Sequence, residues 1–119
     1  MPATITVSDD GTYLILHFIG IHSPSQQRPV VTELFSRMAA ANVRRVLVDG
    51  RDQDTRMNTM DSYQFWEEMA PQVPRGAKFA VVVGWQITGR PFIEDVAVNR
   101  RVNIRYFNDI DQALGWLRG

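Results

Sequence analysis

The stretch Val46 to Met57, VLVDGRDQDTRM, sets three aspartates and two arginines behind an apolar run within twelve residues. Two kinds of chemistry suit those residue types. An arginine fork at Arg51 or Arg56 can hold a carboxylate or phosphate through two parallel hydrogen bonds, and clustered aspartates can take a hard metal ion. The metal reading fails on spacing, because a calcium loop needs acids at alternating positions, a central glycine and a terminal glutamate. No metal is expected. The anion reading competes with a simpler one, in which Asp49 ends a strand, Gly50 turns, and Asp49, Asp52 and Asp54 already occupy the forks of Arg51 and Arg56 as structural ion pairs. Both stay open on sequence alone.

A second candidate segment is WQITGRP, with Trp85 and Arg90 as ligand-binding candidates beside it on the same rim. Gly84, Gly89 and Pro91 shape a turn into a helix whose free N–H groups suit an anion, but the phosphate-binding pattern G-x-x-x-x-G-K-S/T is absent. His17 lies in a strand that is apolar on both sides, where a hydrogen-bonded structural histidine is the commoner case, and His22 lies in the polar loop IHSPSQQ. Asp49 with either histidine would make an acid and base only if the fold brought them within hydrogen-bond reach. No G-x-S-x-G or H-E-x-x-H occurs. The chain is read as non-enzymatic, without a cofactor.

These side chains need elements to carry them. Ala3, Ile5 and Val7 alternate with threonines, Asp10–Gly11 suits a tight hairpin, and TYLILHFIG reads as a central strand covered from two sides. From Gln27 or Pro29 to Ala41 the period turns helical, with Val30, Val31, Leu34, Phe35 and Met38 in one stripe and Pro29 in the first turn. RRVLVDG is a buried strand. TMDSYQFWEEMAPQV is a second helix, capped by Asp61 and closed by Pro71 and Pro74. AKFAVVVGW, GRPFIEDVAVNRR, VNIRYF and NDIDQALGWLRG follow as strand, helix, strand and helix, the last capped by Asn108 or Asp109. The expected fold is α/β: one domain, 1–119, with a mixed five-stranded sheet and about four helices in the order ββαβαβαβα. The ends of the last three strands then share one rim, where loops build sites in such sheets.

The second helix carries Tyr63, Phe65, Trp66 and Met69 beyond one narrow stripe, with Met57 and Met60 just before it. Such a surplus marks either a thick core layer or a self-association surface, and the chain is expected to be a homodimer through these residues.

Bulk composition limits the partners. Thirteen basic residues balance thirteen acidic ones, so no long-range field gathers nucleic acid. The absence of cysteine removes thiol nucleophiles, disulfides and thiolate metal sites. The beginning of the chain does not read as a signal peptide, and no apolar run approaches the roughly 20 residues of a membrane span. A cytoplasmic protein is expected.

The stretches VLVDGRDQDTRMNTMDSYQFWEEM, KFAVVVG and FIEDVAVNRRVNIRYFNDIDQALGWL, with the opening hairpin, resemble the stand-alone, SEC14-like branch of the STAS superfamily of sulfate-transporter and anti-sigma factor antagonist domains. The closing pattern of Phe107, acidic caps and Ala113, Trp116 and Leu117 is its most specific part. The resemblance implies a regulatory or binding module acting through a partner protein or a small anionic or apolar ligand. The SEC14-like label implies, alternatively, a carrier for a lipid-like acid. Anti-sigma antagonists of this kind carry a phosphorylated D-S-S/T-G at a helix start. Asp61 and Ser62 resemble its first two positions, making Ser62 a phosphorylation candidate, while Tyr63 and Gln64 depart from it and crowd the approach that small residues leave open.

Overall fold

The computed structural model describes residues 3–20, 24–53, 59–84, 87 and 101–119. They form β1 (Ala3–Val7), β2 (Leu14–Gly20), α1 (Pro24–Ala41), β3 (Arg45–Gln53), α2 (Thr59–Met69) with a 3₁₀ turn at Ala70–Gln72, β4 (Lys78–Val83), β5 (Asn103–Phe107) and α3 (Ile110–Arg118). The sheet order is β1-β2-β3-β4-β5, antiparallel at β1–β2 and parallel elsewhere. This is the expected mixed five-stranded α/β sheet. Three α-helices stand among the described residues; the helix expected over 89–101 lies outside them, except for Arg101.

The opening hairpin forms as its residues dictate. Gly11 takes φ 74°, a left-handed conformation that glycine reaches without strain. The Asp10 carboxylate accepts hydrogen bonds from Thr12 N, Thr12 Oγ1 and Ser8 Oγ at 3.0, 2.7 and 2.8 Å. Those donors, led by the Thr12 hydroxyl, hold its pKa down at about 2. At the far end of α1, Asn42 is left-handed (φ 55°) and Val43 N donates to Met38 O at 3.0 Å, the six-to-one bond that turns a chain out of a helix.

Two expected boundaries move. α1 begins at Pro24, so Pro29 lies in its second turn rather than its first. α2 begins at Thr59, which puts Asp61 inside the helix instead of before it. In both cases the ladder starts upstream of the residue that looked like a start signal.

The two sheet faces are built differently. Leu14, Leu16, Phe18, Val46, Phe79, Val81, Val83 and Ile104 meet Leu34, Phe35 and Met38 of α1 and Phe65, Trp66 and Met69 of α2 in one buried cluster. On the other face Leu47, Ala80 and Val82 meet Ala113 and Leu117 of α3, with Tyr13 joining at the start of β2. Right-handed crossovers explain the asymmetry: each strand–helix–strand step returns its helix to the same side, and only α3, which follows the last strand, is free to take the other. Lys78 fixes α3 there, donating from Nζ to the carbonyls of Trp116 and Gly119 at 2.5 and 3.3 Å and lying 4.4 Å from the Trp116 ring centroid. A cation suits the negative end of a helix.

Candidate functional site

β3 does not end at Asp49. It continues to Gln53, and Gly50 is a strand residue rather than a turn. The pairing shows why. His17 of β2 lies beside Asp49, but Ile19 lies beside Asp52, so two steps along β2 match three along β3. The additional residue, within Gly50–Arg51, makes a β-bulge. Residues three apart on a regular strand point to opposite faces; the bulge cancels that alternation and returns Asp52 to the face shared by His17 and Asp49. His17 Nε2 and Asp52 Oδ2 are accordingly 2.9 Å apart.

Next to this pair, Arg51 closes on Asp49. Its Nε and Nη2 donate to Asp49 Oδ1 and Oδ2, both at 2.9 Å, and its backbone N–H reaches Oδ1 at 3.2 Å. Asp49 is only 14% exposed at the side chain, against 47% for Arg51. The Arg51 hydrogen bond holds the Asp49 carboxyl below its ordinary pKa, outweighing the opposing effect of burial; the charges of Arg51 and His17 add to it. Asp49 therefore stays ionised at neutral pH with both oxygens engaged. Arg51 has spent the Nε/Nη2 edge of its fork on its own strand.

Two further contacts complete the rim. Asn108, between β5 and α3, donates from Nδ2 to Val83 O at 3.2 Å and accepts from Ile87 N at 3.1 Å, tying the exit of β4 to the exit of β5. Asp109 caps α3 by accepting from Asp111 N at 2.8 Å, so of the two cap candidates Asn108 does a different task. Gly84 approaches β3 so closely that a Cβ there would stand 3.0 Å from Arg51 O. Glycine is needed here for the approach itself.

Among the sequence candidates, Asp49 and Arg51 come together at this rim. Arg56, Trp85, Arg90 and His22 lie outside the described residues, and the side chains of Asp61, Ser62 and Tyr63 lie outside them as well. The expected interface on α2 needs correction: Phe65, Trp66 and Met69 are 4%, 5% and 1% exposed. They are the thick core layer, inside the monomer, so they give a homodimer no surface. Their spacing i, i+1, i+4 is a single buried stripe, with Phe65 edge-on to Trp66 at 5.2 Å between centroids. Met60, expected just before the helix, is within it and 63% exposed. The partnership of His17 with Asp52 and the bridge made by Asn108 were not foreseen; the first depends on a register break that no residue pattern announces.

Among the described residues the open rim holds one ion pair, Asp49 with Arg51, and one hydrogen-bonded pair, His17 with Asp52. Among the described residues no group of three or more histidine, cysteine or acidic side chains is placed to hold a metal ion. His17 faces a carboxylate rather than a nucleophile.

No protein-family profile matches the chain, and no curated protein matches it. Solved structures do. An anti-sigma factor antagonist from Mycobacterium paratuberculosis superposes with a TM-score of 0.61 at 15% identity, covering 98% of this chain and 95% of that one. An uncharacterized protein of the DUF3478 family with a SpoIIAA-like fold, from Shewanella loihica PV-4, gives 0.57 at 20% identity, covering 97% and 91%. At these identities the likeness is one of fold: the chain has the SpoIIAA-like, STAS-type architecture that its sequence resembles.

Proposed function

We propose that this chain is a non-enzymatic regulatory module that works by docking a protein partner on the rim formed by His17, Asp49, Arg51, Asp52, Gly84 and Asn108. The observation that carries the reading is the β2–β3 bulge: it spends a strand's regularity to gather charged side chains at the carboxyl ends of parallel strands, where open α/β sheets place their binding sites. The fold shared with an anti-sigma factor antagonist supports a partner-binding role. A small anion is a poorer occupant of the described rim, because Arg51 gives one fork edge to Asp49 and, among the described residues, the carboxylates of Asp49 and Asp52 outnumber that guanidinium. The engagement of His17 by Asp52 and of Arg51 by Asp49 supports a role without bond chemistry. No described helix is long and apolar enough to cross a membrane.

Site-directed photo-crosslinking in cells tests this. A photoreactive residue at position 52 should give a discrete adduct that the same residue at Gln112, on the solvent side of α3, does not, and Arg51→Glu should abolish it. Equal adducts from both positions, or none from position 52, would remove the rim from consideration.

A further inference from the structure

On the face that carries α3, the described residues cover only part of the sheet. α3 packs on β3, β4 and β5 and reaches β2 through Tyr13 and Ile15 near the start of that strand. Farther along, Thr4 and Thr6 of β1 are exposed, Ile19 is 48% exposed and the side chains of His17 and Asp52 are 32% and 65% exposed. The cross-strand pairs Thr4↔His17 and Thr6↔Ile15 place these side chains on one surface with Asp49 and Asp52. Two strands make a strip about 10 Å wide, the diameter of one α-helix. Along β2 it runs roughly 20 Å, the length of about 14 helical residues.

The strip also has a charge. Among the described residues, Asp49 and Asp52 stand at its rim end and Asp9 and Asp10 at the hairpin end, against Arg51 and Arg118. A chain whose formal charge is zero is thus acidic here. Apolar contact is available between the two acidic ends, at Ile15 and Ile19. A second copy of the chain fits poorly, since the strip is far smaller than the about 800 Å² per partner of a standard interface, and its own acidic ends would repel.

Resting on the partner-binding reading above, we infer that this open strip receives one amphipathic helix of the partner protein, laid beside α3 with apolar residues over Ile15 and Ile19 and basic residues over the acidic ends. The helix would lie beside α3 on the part of this face that α3 leaves uncovered among the described residues. The rim and the strip meet at His17 and Asp52, so one partner can engage both.

The test uses a synthetic amphipathic helix of about 14 residues with leucines on one face and lysines at both ends, added to the isotope-labelled full chain and followed by amide chemical shifts. Shifts should concentrate at Thr4, Thr6, Ile15, Ile19 and Asp52. Affinity should fall about tenfold or more, a standard unit of binding free energy, for the same peptide with glutamates at its ends and for the Ile19→Glu and Asp52→Lys chains, both altered at exposed positions. Shifts confined to Gly84, Ile87 and Asn108 would overturn the strip while leaving the rim as the docking site. Equal binding of the lysine and glutamate peptides, no saturable binding, or concentration-dependent shifts of the strip without peptide would each overturn the inference; the crosslinking experiment judges the partner-binding reading separately.

Discussion

The two faces of the same sheet obey different rules. Against α1 and α2, Leu14, Leu16 and Phe18 of β2 are 2%, 1% and 5% exposed, whereas on the α3 face of the same strand exposure rises toward the rim until Ile19 reaches 48%. One strand thus serves a closed layer and an unfinished one. The closed face holds the molecule together by apolar burial. The unfinished face holds polar and charged side chains in place and leaves them reachable, which is where a binding role belongs.

Substitutions on the closed face give the largest effects. Trp66→Ala should lose about 3–5 kcal/mol in denaturant unfolding, yet Trp66→Phe should change stability by less than about 1 kcal/mol, since the buried Trp66 Nε1 has no hydrogen-bond partner among the described residues and its removal relieves an unmet donor. A large loss from Trp66→Phe would mean that the donor is satisfied or that the core does not close over the smaller ring. Across β2 the contrast is direct: Leu16→Ala should cost about 2–5 kcal/mol, and Ile19→Ala, three residues on and open to solvent, no more than about 0.5–1 kcal/mol. Equal losses would show that the α3 face is covered after all.

Rim substitutions come next. Gly84→Ala should cost about 1–2 kcal/mol, because its Cβ meets the Arg51 carbonyl at 3.0 Å and backbone must shift to admit it. Asp49→Asn, which leaves the Arg51 fork without its charged partner, should cost about 1 kcal/mol, the modest value expected of a half-exposed pair.

The smallest effect is at the hairpin. Asp10 has a depressed pKa in the fold, so its stabilisation is complete above the ordinary carboxylate value near 4 and is lost as pH falls through about 2. Thermal melts of Asp10→Asn should therefore show a shallower decline than wild type within that window and a parallel course above it. An unchanged acid limb would sever Asp10 from its Thr12 and Ser8 donors.

What could be read from the sequence followed the same division. Apolar runs such as VLV at 46–48 and FAVVV at 79–83 announce buried strands because both faces or a whole stripe must be dry, and the order of elements then implies the handed crossovers and the sheet. The α2 aromatics were ambiguous for a physical reason: a helix stripe at Phe65, Trp66 and Met69 looks the same whether a sheet or a second molecule covers it. The extension of β3 was hidden more deeply. Gly50, Arg51 and Asp52 have turn-like composition, and pairing of Gly50 with Val83 on one side and of Asp52 and Gln53 with Ile19 and Gly20 on the other keeps the segment extended. Asp49 and Arg51 were visible as a pair; the union of His17 with Asp52 was not, because it depends on a one-residue slip between strands that lie 35 positions apart in sequence at this contact.

That slip is the feature on which the rim depends, and interstrand nuclear Overhauser contacts between β2 and β3 read it most directly. Backbone contacts should join His17 with Asp49 and then Ile19 with Asp52. An unbroken ladder setting Ile19 beside Arg51 would turn Asp52 to the opposite face, separate it from His17 and contradict the site.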